Sequence, residues 1–341
     1  MSLIVTGTIG IDTVQTPTGK AEKTLGGSAT YFAAAASFYG KVRLVAAAGD
    51  DLPEKFRKVL TGFKGVDTSG LEIRKGSKTF AWGGKYRADM NSRDTLFTEL
   101  GVLAERPPAI PKKFTDSRVV FLANSHPAVQ AGFLDQLPEC ELAVADTMDL
   151  WINTARADLE KLLSRVDGLV LNYDEAELFT GKKNPVTAAK HILEAFSSSA
   201  KTNAKTNAKT NAKTDTKSNA KGAKAGKPKA RGMKFVVVKK GEHGCILVHQ
   251  DGIAALPAYP AEQVIDPTGA GDSFAGGLMG YLATSKGGRK GQLKELLVAA
   301  SHGTVVASFN IESFSLARLQ SLKAGELKKR HKAFAKMTRI A

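Results

Sequence analysis

Cysteine is scarce in this sequence, since Cys140 and Cys245 are the only two among 341 residues. Two cysteines cannot form a disulfide framework, and this pair has no metal-ligand spacing, so we expect neither a disulfide-stapled fold nor a cysteine-based metal site. The sequence shows no apolar run long enough to cross a bilayer and no signal-peptide pattern. We therefore expect a cytoplasmic protein in a reducing compartment, with no membrane partner.

Acidic residues are outnumbered: 33 Asp and Glu against 49 Lys and Arg give a formal net charge of +16. The excess lies in two segments, because residues 197–234 carry +10 and residues 318–341 carry +7, which leaves the rest nearly neutral. Such basic segments can attract polyanions in a salt-dependent way. However, no zinc-finger or RNA-binding aromatic motif accompanies them, so a nucleic-acid partner is not expected.

The two basic segments also mark the domain organisation. Residues 197–232 repeat Lys-Thr-Asn-Ala almost unchanged before a stretch rich in glycine and lysine. We interpret this low-complexity segment as a disordered surface insertion. Residues 319–341 are interpreted as a basic C-terminal tail, which leaves residues 1–318 as one domain that contains the insertion.

Strand-like apolar runs alternate with amphipathic helical segments along that domain. This alternation predicts an α/β fold with a mostly parallel central sheet covered by helices. Residues 70–100 instead alternate in polarity, which predicts a small β lid. The strand-like runs lie near residues 3–8, 42–48, 118–123, 142–146, 168–171 and 235–239.

The most specific motif is DPTGAGDSFAGG at residues 266–277. Its glycines predict a turn into a helix that packs closely against the sheet, and the first N–H groups of such a helix attract an anion. Asp272 would stand beside that anion site as a candidate general base, which suits phosphoryl transfer. Taken alone, the motif is also compatible with a glycine-rich turn whose first-turn carboxylate has no catalytic role.

Three shorter motifs carry further candidate residues. Asp12 follows the first strand, where its two oxygens can accept hydrogen bonds from a vicinal diol, unless it is a surface turn residue. Asn172 and Glu175 end a strand and open a helix, so they are either part of a metal and phosphate site or a helix capping box. Gly241 and Gly244 flank a turn between two strands, which is also typical of a plain hairpin.

Together these motifs resemble the signatures of the PfkB family of carbohydrate kinases, the ribokinase-like group. The motif at 266–277 is complete, and residues 26–40 are similar to the family's first signature, a Gly-Gly turn before an alanine-rich helix. The resemblance implies a ribokinase-like three-layer α/β/α fold, with ATP and Mg2+ as cofactors and K+ in some members. It also implies that the lid covers the sugar and can form a homodimer contact.

The resemblance also implies roles for individual residues. Asp272 would deprotonate the acceptor hydroxyl, while the N–H groups of Gly269, Ala270 and Gly271 would form the anion hole. The acceptor would bind to Asp12, Gly26 and Gly27, and the nucleotide to Lys239, Gly241 and Gly244. Asn172 and Glu175 would hold Mg2+ and its waters, and K+ would bind near Asp266 and Thr268.

One departure from the family pattern concerns the substrate, because many sugar kinases carry asparagine where this sequence has Tyr31. We expect ATP-dependent phosphorylation of a hydroxyl of a small sugar or sugar-like substrate. A nucleoside kinase is the alternative, since Tyr31 or Trp82 could stack on a base. A further alternative is an inactive relative that binds polyanions through its basic insertion, and the intact Asp272 argues against it.

Overall fold

The structure of the protein is a computed structural model that describes residues 2–197 and 231–339. Residues 198–230 contain nearly all of the lysine-rich repeat. The interpretation of that segment as a disordered insertion therefore lies outside the described residues.

The described residues form two sheets, of which the larger has nine strands. Seven neighbouring strands are parallel, and two antiparallel strands extend one edge. Their spatial order is β13 (Gly252–Leu256), β12 (Cys245–His249), β11 (Phe235–Lys239), β10 (Gly168–Asn172), β9 (Leu142–Asp146), β8 (Val119–Leu122), β1 (Leu3–Thr6), β4 (Val42–Gly49) and β5 (Val66–Arg74).

Helices cover both faces of this sheet. Successive strand residues point to opposite faces, so Leu3 and Val5 pack in one buried cluster and Ile4 in another. The three-layer α/β/α fold predicted from the sequence is confirmed. The helices are α1 (Ser28–Ala36), α2 (Glu54–Gly62), α3 (Pro127–Asp135), α4 (Asp149–Thr154), α5 (Arg156–Leu163), α6 (Tyr173–Thr180), α7 (Pro185–Phe196), α8 (Ala270–Thr284), α9 (Lys286–Arg289), α10 (Leu293–Asn310), α11 (Ala317–Ser321) and α12 (Ala324–Met337).

The second sheet has four strands among the described residues. Within the segment 70–100 that the sequence predicts as a β lid, residues 80–86 and 93–99 supply two of them, whereas residues 70–74 belong to β5 of the larger sheet. The N-terminal segment supplies the other two strands. Every residue of the outer strand at 93–99 is exposed, and no other strand of the described residues pairs with its outer edge. The strand order is β3 (Gly19–Gly26), β2 (Gly10–Thr16), β6 (Phe80–Tyr86) and β7 (Arg93–Glu99).

Small residues allow α8 to approach its neighbours closely. A Cβ atom on Gly276 would lie 2.5 Å from the carbonyl oxygen of Phe32 in α1, and one on Gly277 would lie 2.9 Å from the Cα atom of Gly303 in α10. Larger residues would push these helices apart. The close packing fixes the N-terminus of α8 at the carboxyl ends of the parallel strands.

The C-terminal segment is more ordered than the sequence indicates. Residues 324–337, within the stretch interpreted as a basic tail, form α12, which packs against α10. Leu327 and Phe334 are the buried residues of this helix. Within the two described ranges, the helices are too short or too polar to cross a membrane.

Candidate active site

A cavity of about 1610 Å³ opens at the carboxyl ends of the parallel strands. Its lining includes the N-terminus of α8, the turn before α1 and the turn between β11 and β12. This edge of an open α/β sheet is where ligands commonly bind. Two residues predicted from the sequence, Gly26 and Asp266, are not among the residues that line the cavity. The predicted residues that line the cavity are Asp12, Gly27, Asn172, Glu175, Lys239, Gly241, Gly244, Thr268, Gly269, Ala270, Gly271 and Asp272.

The N-terminus of α8 presents free backbone donors. Among the described residues, the N–H groups of Gly269, Gly271 and Asp272 have no hydrogen-bond acceptor. The N–H group of Ala270 instead donates to the carbonyl oxygen of Pro267 at 3.1 Å. The Ala270 N–H group, which the resemblance assigned to the anion hole, is therefore already hydrogen-bonded within the turn. The Asp272 N–H group, which was not assigned, has no acceptor. Free N–H groups at a helix N-terminus favour an anion.

Tyr31 supports the turn into α8. Gly269 has a φ of 73°, a left-handed conformation that favours glycine. A Cβ atom at this position would also overlap the Tyr31 ring, which is 1% exposed. The residue that departs from the family pattern thus packs against the helix entrance in addition to lining the cavity.

Three carboxyl groups and one ammonium group meet beside that entrance. Asp146 ends β9, Lys239 ends β11, and Glu175 and Asp272 lie in the first turns of α6 and α8. The Nζ atom of Lys239 lies 3.9 Å from Oδ2 of Asp146. A Cβ atom on Gly271 would lie 2.7 Å from the same Nζ atom. The ammonium group therefore lies directly beside the free donors of α8. We call these four side chains the acidic cluster.

Burial raises the pKa of all three carboxyl groups in the acidic cluster. The pKa is about 8 for both Asp272 and Glu175, and repulsion from the Asp146 carboxylate raises both values further than burial alone would. The pKa of Asp146 itself is raised by burial. Burial disfavours the charged form of Lys239, but attraction by the carboxyl groups outweighs it and raises the lysine pKa. With three acids and one base, the acidic cluster favours uptake of a proton or a cation.

Asp12 is the carboxylate of a separate part of the cavity. It is 4% exposed, and its Oδ1 atom has no hydrogen-bond partner among the described residues. Burial raises the pKa of Asp12 to about 7, the backbone N–H of Gly27 opposes this rise and Asp266 adds to it. A Cβ atom on Gly26 would overlap the carboxylate, so glycine makes room for it. A buried carboxylate oxygen thus remains able to accept a hydrogen bond.

Asn172 and Glu175 form the capping box that the sequence left open as an alternative. Oδ1 of Asn172 accepts the Glu175 N–H at 2.8 Å, and Oε2 of Glu175 accepts the Asn172 N–H at 2.8 Å. Both residues also line the cavity, and Glu175 retains a second carboxylate oxygen. The described residues contain no group of three side chains arranged to hold a metal. Asn172 and Glu175 therefore suit a Mg2+ ion that keeps most of its water ligands. They do not suit an ion that the protein alone would coordinate.

The turn between β11 and β12 is a hairpin, as its alternative interpretation predicts. Gly241 and Gly244 have φ values of 54° and 80°, which favour glycine. A Cβ atom on Gly244 would overlap the carbonyl oxygen of Leu256. Because both glycines also line the cavity, the hairpin and a nucleotide contact are compatible.

Asp266 and Thr268 lie just before α8. Asp266 is 1% exposed, and its two oxygens accept the N–H groups of Thr268 at 2.8 Å and Ser315 at 3.4 Å. Asn310 donates to the Thr268 carbonyl oxygen at 2.8 Å. These bonds tie the turn to the end of α10 and account for both Asp266 oxygens. A K+ site here stays a prediction.

Sequence reasoning missed several residues that line the cavity, among them Asp146, Arg93 and Trp151. The sequence offered a signal for Asp146, because this acid ends the apolar run 142–146 and acids at strand ends often lie in sites. Arg93 lies on the outer strand β7 of the four-stranded sheet, and nothing in its local sequence indicates a position near the acidic cluster. Trp151 donates from Nε1 to Oδ1 of Asn124 at 2.9 Å, a contact between distant segments.

Solved structures define the class of this fold. Ribokinase from Giardia lamblia aligns over 99% of each chain, with a TM-score of 0.74 and 16% identity. Aminoimidazole riboside kinase from Salmonella enterica, solved with aminoimidazole riboside and an ATP analogue, covers 97% of this chain and 100% of its own, with a TM-score of 0.68 and 17% identity. The protein therefore has the fold of the ribokinase-type kinases.

Sequence comparison gives the family. The family model of pfkB family carbohydrate kinases matches residues 4–320, and the chain belongs to this family. The protein is a phosphotransferase that acts on a hydroxyl group of a sugar or nucleoside, and its family uses ATP, typically with Mg2+.

The curated relatives that are similar to this chain include two kinases with different substrates in their names. Cytidine kinase from Thermococcus kodakarensis is 30% identical over 290 residues, which cover 82% of this chain and 88% of the relative. Inositol 3-kinase from Arabidopsis thaliana is 39% identical over 104 residues, which cover 28% of this chain and 26% of the relative.

Proposed function

We propose that the protein uses ATP to phosphorylate a hydroxyl group of a small sugar or sugar-like acceptor, with Asp272 as the general base. The position of Asp272 carries this proposal. Its carboxyl group lies in the first turn of α8, beside the free N–H groups of Gly269 and Gly271, in a cavity that also contains Asp12. One helix terminus thus combines a proton acceptor with donors for a phosphate.

In the proposed reaction, Asp272 takes the proton of the acceptor hydroxyl while the hydroxyl oxygen bonds to the terminal phosphorus of ATP. The bond from that phosphorus to its bridging oxygen breaks, and ADP leaves with the bonding electrons. The free N–H groups of Gly269 and Gly271 stabilise charge on the transferred group. The pKa of Asp272 is about 8 in the ligand-free protein, although Lys239 already lowers it. A further cation, brought with the nucleotide, is therefore needed to ionise Asp272 fully at neutral pH.

Lys239 is the cation that the chain itself supplies. Its ammonium group lies beside Gly271 and Asp146, so it is placed to contact the terminal phosphate while it offsets the acidic cluster. We assign Lys239, together with Gly241 and Gly244 of the adjoining hairpin, to the donor nucleotide. An ammonium group at a developing phosphoryl charge lowers the barrier by electrostatic stabilisation.

Asn172 and Glu175 are assigned to Mg2+, held mainly through its waters. When bound, the ion neutralises phosphate charge and the excess of buried acids. The capping box keeps the side chain of Glu175 in place at the end of β10. This fixed carboxylate orients the waters that would fill the space between protein and phosphates.

Asp12 is assigned to the acceptor, beside the Gly26-Gly27 turn. Its Oδ1 atom is buried and has no partner among the described residues. Burying an unpaired carboxylate oxygen is unfavourable, and hydroxyl donors of a sugar would satisfy it. The acceptor would therefore be held by hydroxyl groups next to the one that reacts.

A nucleoside acceptor is the second candidate. The observation that favours it is the similarity to cytidine kinase from Thermococcus kodakarensis across 82% of this chain. Trp82 and Trp151 line the cavity and offer aromatic surfaces on which a base could stack. The sugar of a nucleoside would occupy the same place beside Asp12.

A substrate panel tests the proposed function. ADP release would be measured with ATP, Mg2+ and either ribose, fructose, 2-keto-3-deoxygluconate, myo-inositol, adenosine or cytidine. We expect at least one acceptor to raise release well above the acceptor-free rate, and we expect Asp272→Asn to abolish the increase. Asp149→Asn is the matched control, since Asp149 is an exposed acid of the same cavity. Release that no acceptor stimulates would count against the proposal and favour the polyanion-binding alternative, which RNA filter binding would examine.

We also propose that the four-stranded sheet covers the acceptor as a lid and forms a homodimer contact. The exposed edge strand β7 carries Leu96 and Phe97, which are 53% and 38% exposed. An open edge with apolar side chains favours pairing with a second copy. Sedimentation should show a dimer that Leu96→Asp converts to a monomer, and a monomeric wild-type protein would contradict this contact.

A further inference from the structure

The part of the cavity on the α10 side has a wall of its own. Tyr259, Thr304, Ala307, Ser308 and Ile311 line it. If phosphates bind at the N-terminus of α8 and the acceptor binds at Asp12, this wall is available to the base of the donor nucleotide. A mostly apolar wall with an aromatic ring suits a flat base. This location rests on the proposed function, and we call the five residues the base wall.

An arginine from the C-terminal helix lies behind the base wall. The guanidinium carbon of Arg330 in α12 lies 5.0 Å from the centre of the Tyr259 ring and 3.4 Å from that of Phe309. Its Nη1 atom donates to Oγ of Ser308 at 3.1 Å, and its Nη2 atom pairs with Oε1 of Glu312 at 2.6 Å. The Arg330 side chain is 19% exposed. One guanidinium group thus contacts two members of the base wall.

We infer that Arg330 is a positioning residue for the nucleotide base: it fixes the Tyr259 ring and the Ser308 hydroxyl from behind. Arginine suits this task because its planar group stacks on an aromatic ring while its N–H groups donate in the same plane. The Ser308 hydroxyl donates to the carbonyl oxygen of Val305 at 2.7 Å and accepts from Arg330, so its orientation is set. Residues 324–337 lie beyond the segment that the family model matches.

Arg318 provides a matched control within the same packing. Its guanidinium carbon lies 4.9 Å from the Phe309 ring centre, and its Nε atom lies 2.9 Å from Oε2 of Glu312. It therefore shares both the aromatic ring and the acidic partner of Arg330. The contacts to Tyr259 and Ser308 belong to Arg330. Any effect due only to the general stability of this region should appear in both variants.

The test measures nucleotide binding, because that readout does not depend on the acceptor. ADP and GDP would be titrated into the full chain by calorimetry, for wild type, Arg330→Met and Arg318→Met, with melting temperatures recorded for each. We expect Arg330→Met to weaken ADP binding about fivefold to tenfold, the range of a lost stacking and hydrogen-bonding cation. We expect the ADP:GDP preference to shrink as well, while Arg318→Met stays within about twofold of wild type.

A second variant keeps the test decisive if Arg330→Met folds poorly. Arg330→Lys retains a charge for Glu312 and loses the planar stacking, so it should fold and show an intermediate loss of ADP affinity. Equal ADP affinity and base preference in the Arg330 and Arg318 variants would overturn the inference and leave the proposed function intact. A wild-type protein that binds neither ADP nor ATP would contradict the proposed function, and the inference with it.

Discussion

The two carboxylate sites of the cavity differ in how their charge is balanced. In the acidic cluster, three acids surround Lys239, and the pKa of Asp272 is raised to about 8 by burial and by repulsion from Asp146. The pKa of Asp12 is raised to about 7 mainly by burial, and the hydrogen bond from the Gly27 N–H group partly offsets this rise. The acidic cluster is therefore suited to a cation-bearing donor, and Asp12 to a neutral acceptor with hydroxyl donors. Variants in the two sites should affect different steps.

The largest effect is expected for Asp272→Asn. The amide cannot take up the hydroxyl proton, so kcat should fall about 10²- to 10⁴-fold, the usual contribution of a general base. The KM of the acceptor should change little, because Asp12 is left intact. Steady-state rates with the acceptor found by the panel provide the measurement. A variant whose kcat stays within a few-fold of wild type would remove Asp272 from the mechanism.

Lys239→Met tests the cation of the same cluster. Loss of the ammonium group removes a stabilising charge from the transferred phosphoryl group, which corresponds to a fall of about 10²- to 10³-fold in kcat/KM for ATP. Lys240→Met is the control, since Lys240 is the next residue and also lines the cavity. If the two lysine variants lost activity equally, the pairing of Lys239 with Asp146 would have no special part in donor binding.

Asp12→Asn should separate the two sites most clearly. It replaces a charged hydrogen-bond acceptor by a neutral one, so the acceptor KM should rise about 10- to 100-fold. The dissociation constant of ADP should change by less than about twofold, because Asp12 is only the last of the charges that act on Asp272 and touches no other member of the acidic cluster. Initial rates over a range of acceptor concentrations, combined with ADP titrations, measure both quantities. A weaker ADP affinity with an unchanged acceptor KM would reverse the assignment.

The sequence specifies the entrance to α8 well, because its signal is local. Glycines and small residues at 269–277 determine both the turn and the close helix packing, and helix and cavity follow from them. The acidic cluster could be foreseen only in part. Its members come from β9, α6, β11 and α8, so the contact of Asp146 with Lys239 depends on strand order, which the motifs do not encode.

The C-terminal helix α12 shows the opposite case, in which the basic composition of the segment led to the interpretation as a tail. Eight basic residues in 318–341 indicated a tail, yet Leu327 and Phe334 bury one face of α12. The two positions lie seven residues apart, a helical spacing that was available in the sequence. The role inferred for Arg330 depends on α12 packing against α10, which no local pattern indicates.

The smallest effect concerns stability against pH in the ligand-free protein. An acid whose pKa is raised on folding holds a proton that the unfolded chain has already lost, so stability falls as pH rises. For Asp272 and Glu175 this window runs from their ordinary values, 3.8 and 4.5, to about 8. The melting temperature should therefore fall between pH 5 and pH 8, by a few degrees.

Glu175→Gln should flatten that pH profile more than Asp12→Asn, because the Glu175 charge contributes more than the Asp12 charge to the repulsion that raises the pKa of Asp272. Differential scanning fluorimetry at several pH values makes the comparison. If only Asp12→Asn flattened the profile, the charges of the acidic cluster would not reduce the stability of the ligand-free protein, which would contradict this prediction.

A structure of the protein with a non-hydrolysable ATP analogue, Mg2+ and the acceptor identified by the panel tests the central claim most directly. We predict that the terminal phosphate accepts the N–H groups of Gly269 and Gly271, and that the acceptor hydroxyl lies about 3 Å from the Asp272 carboxylate. A terminal phosphate bound away from the N-terminus of α8, or a different side chain in contact with the acceptor hydroxyl, would contradict it.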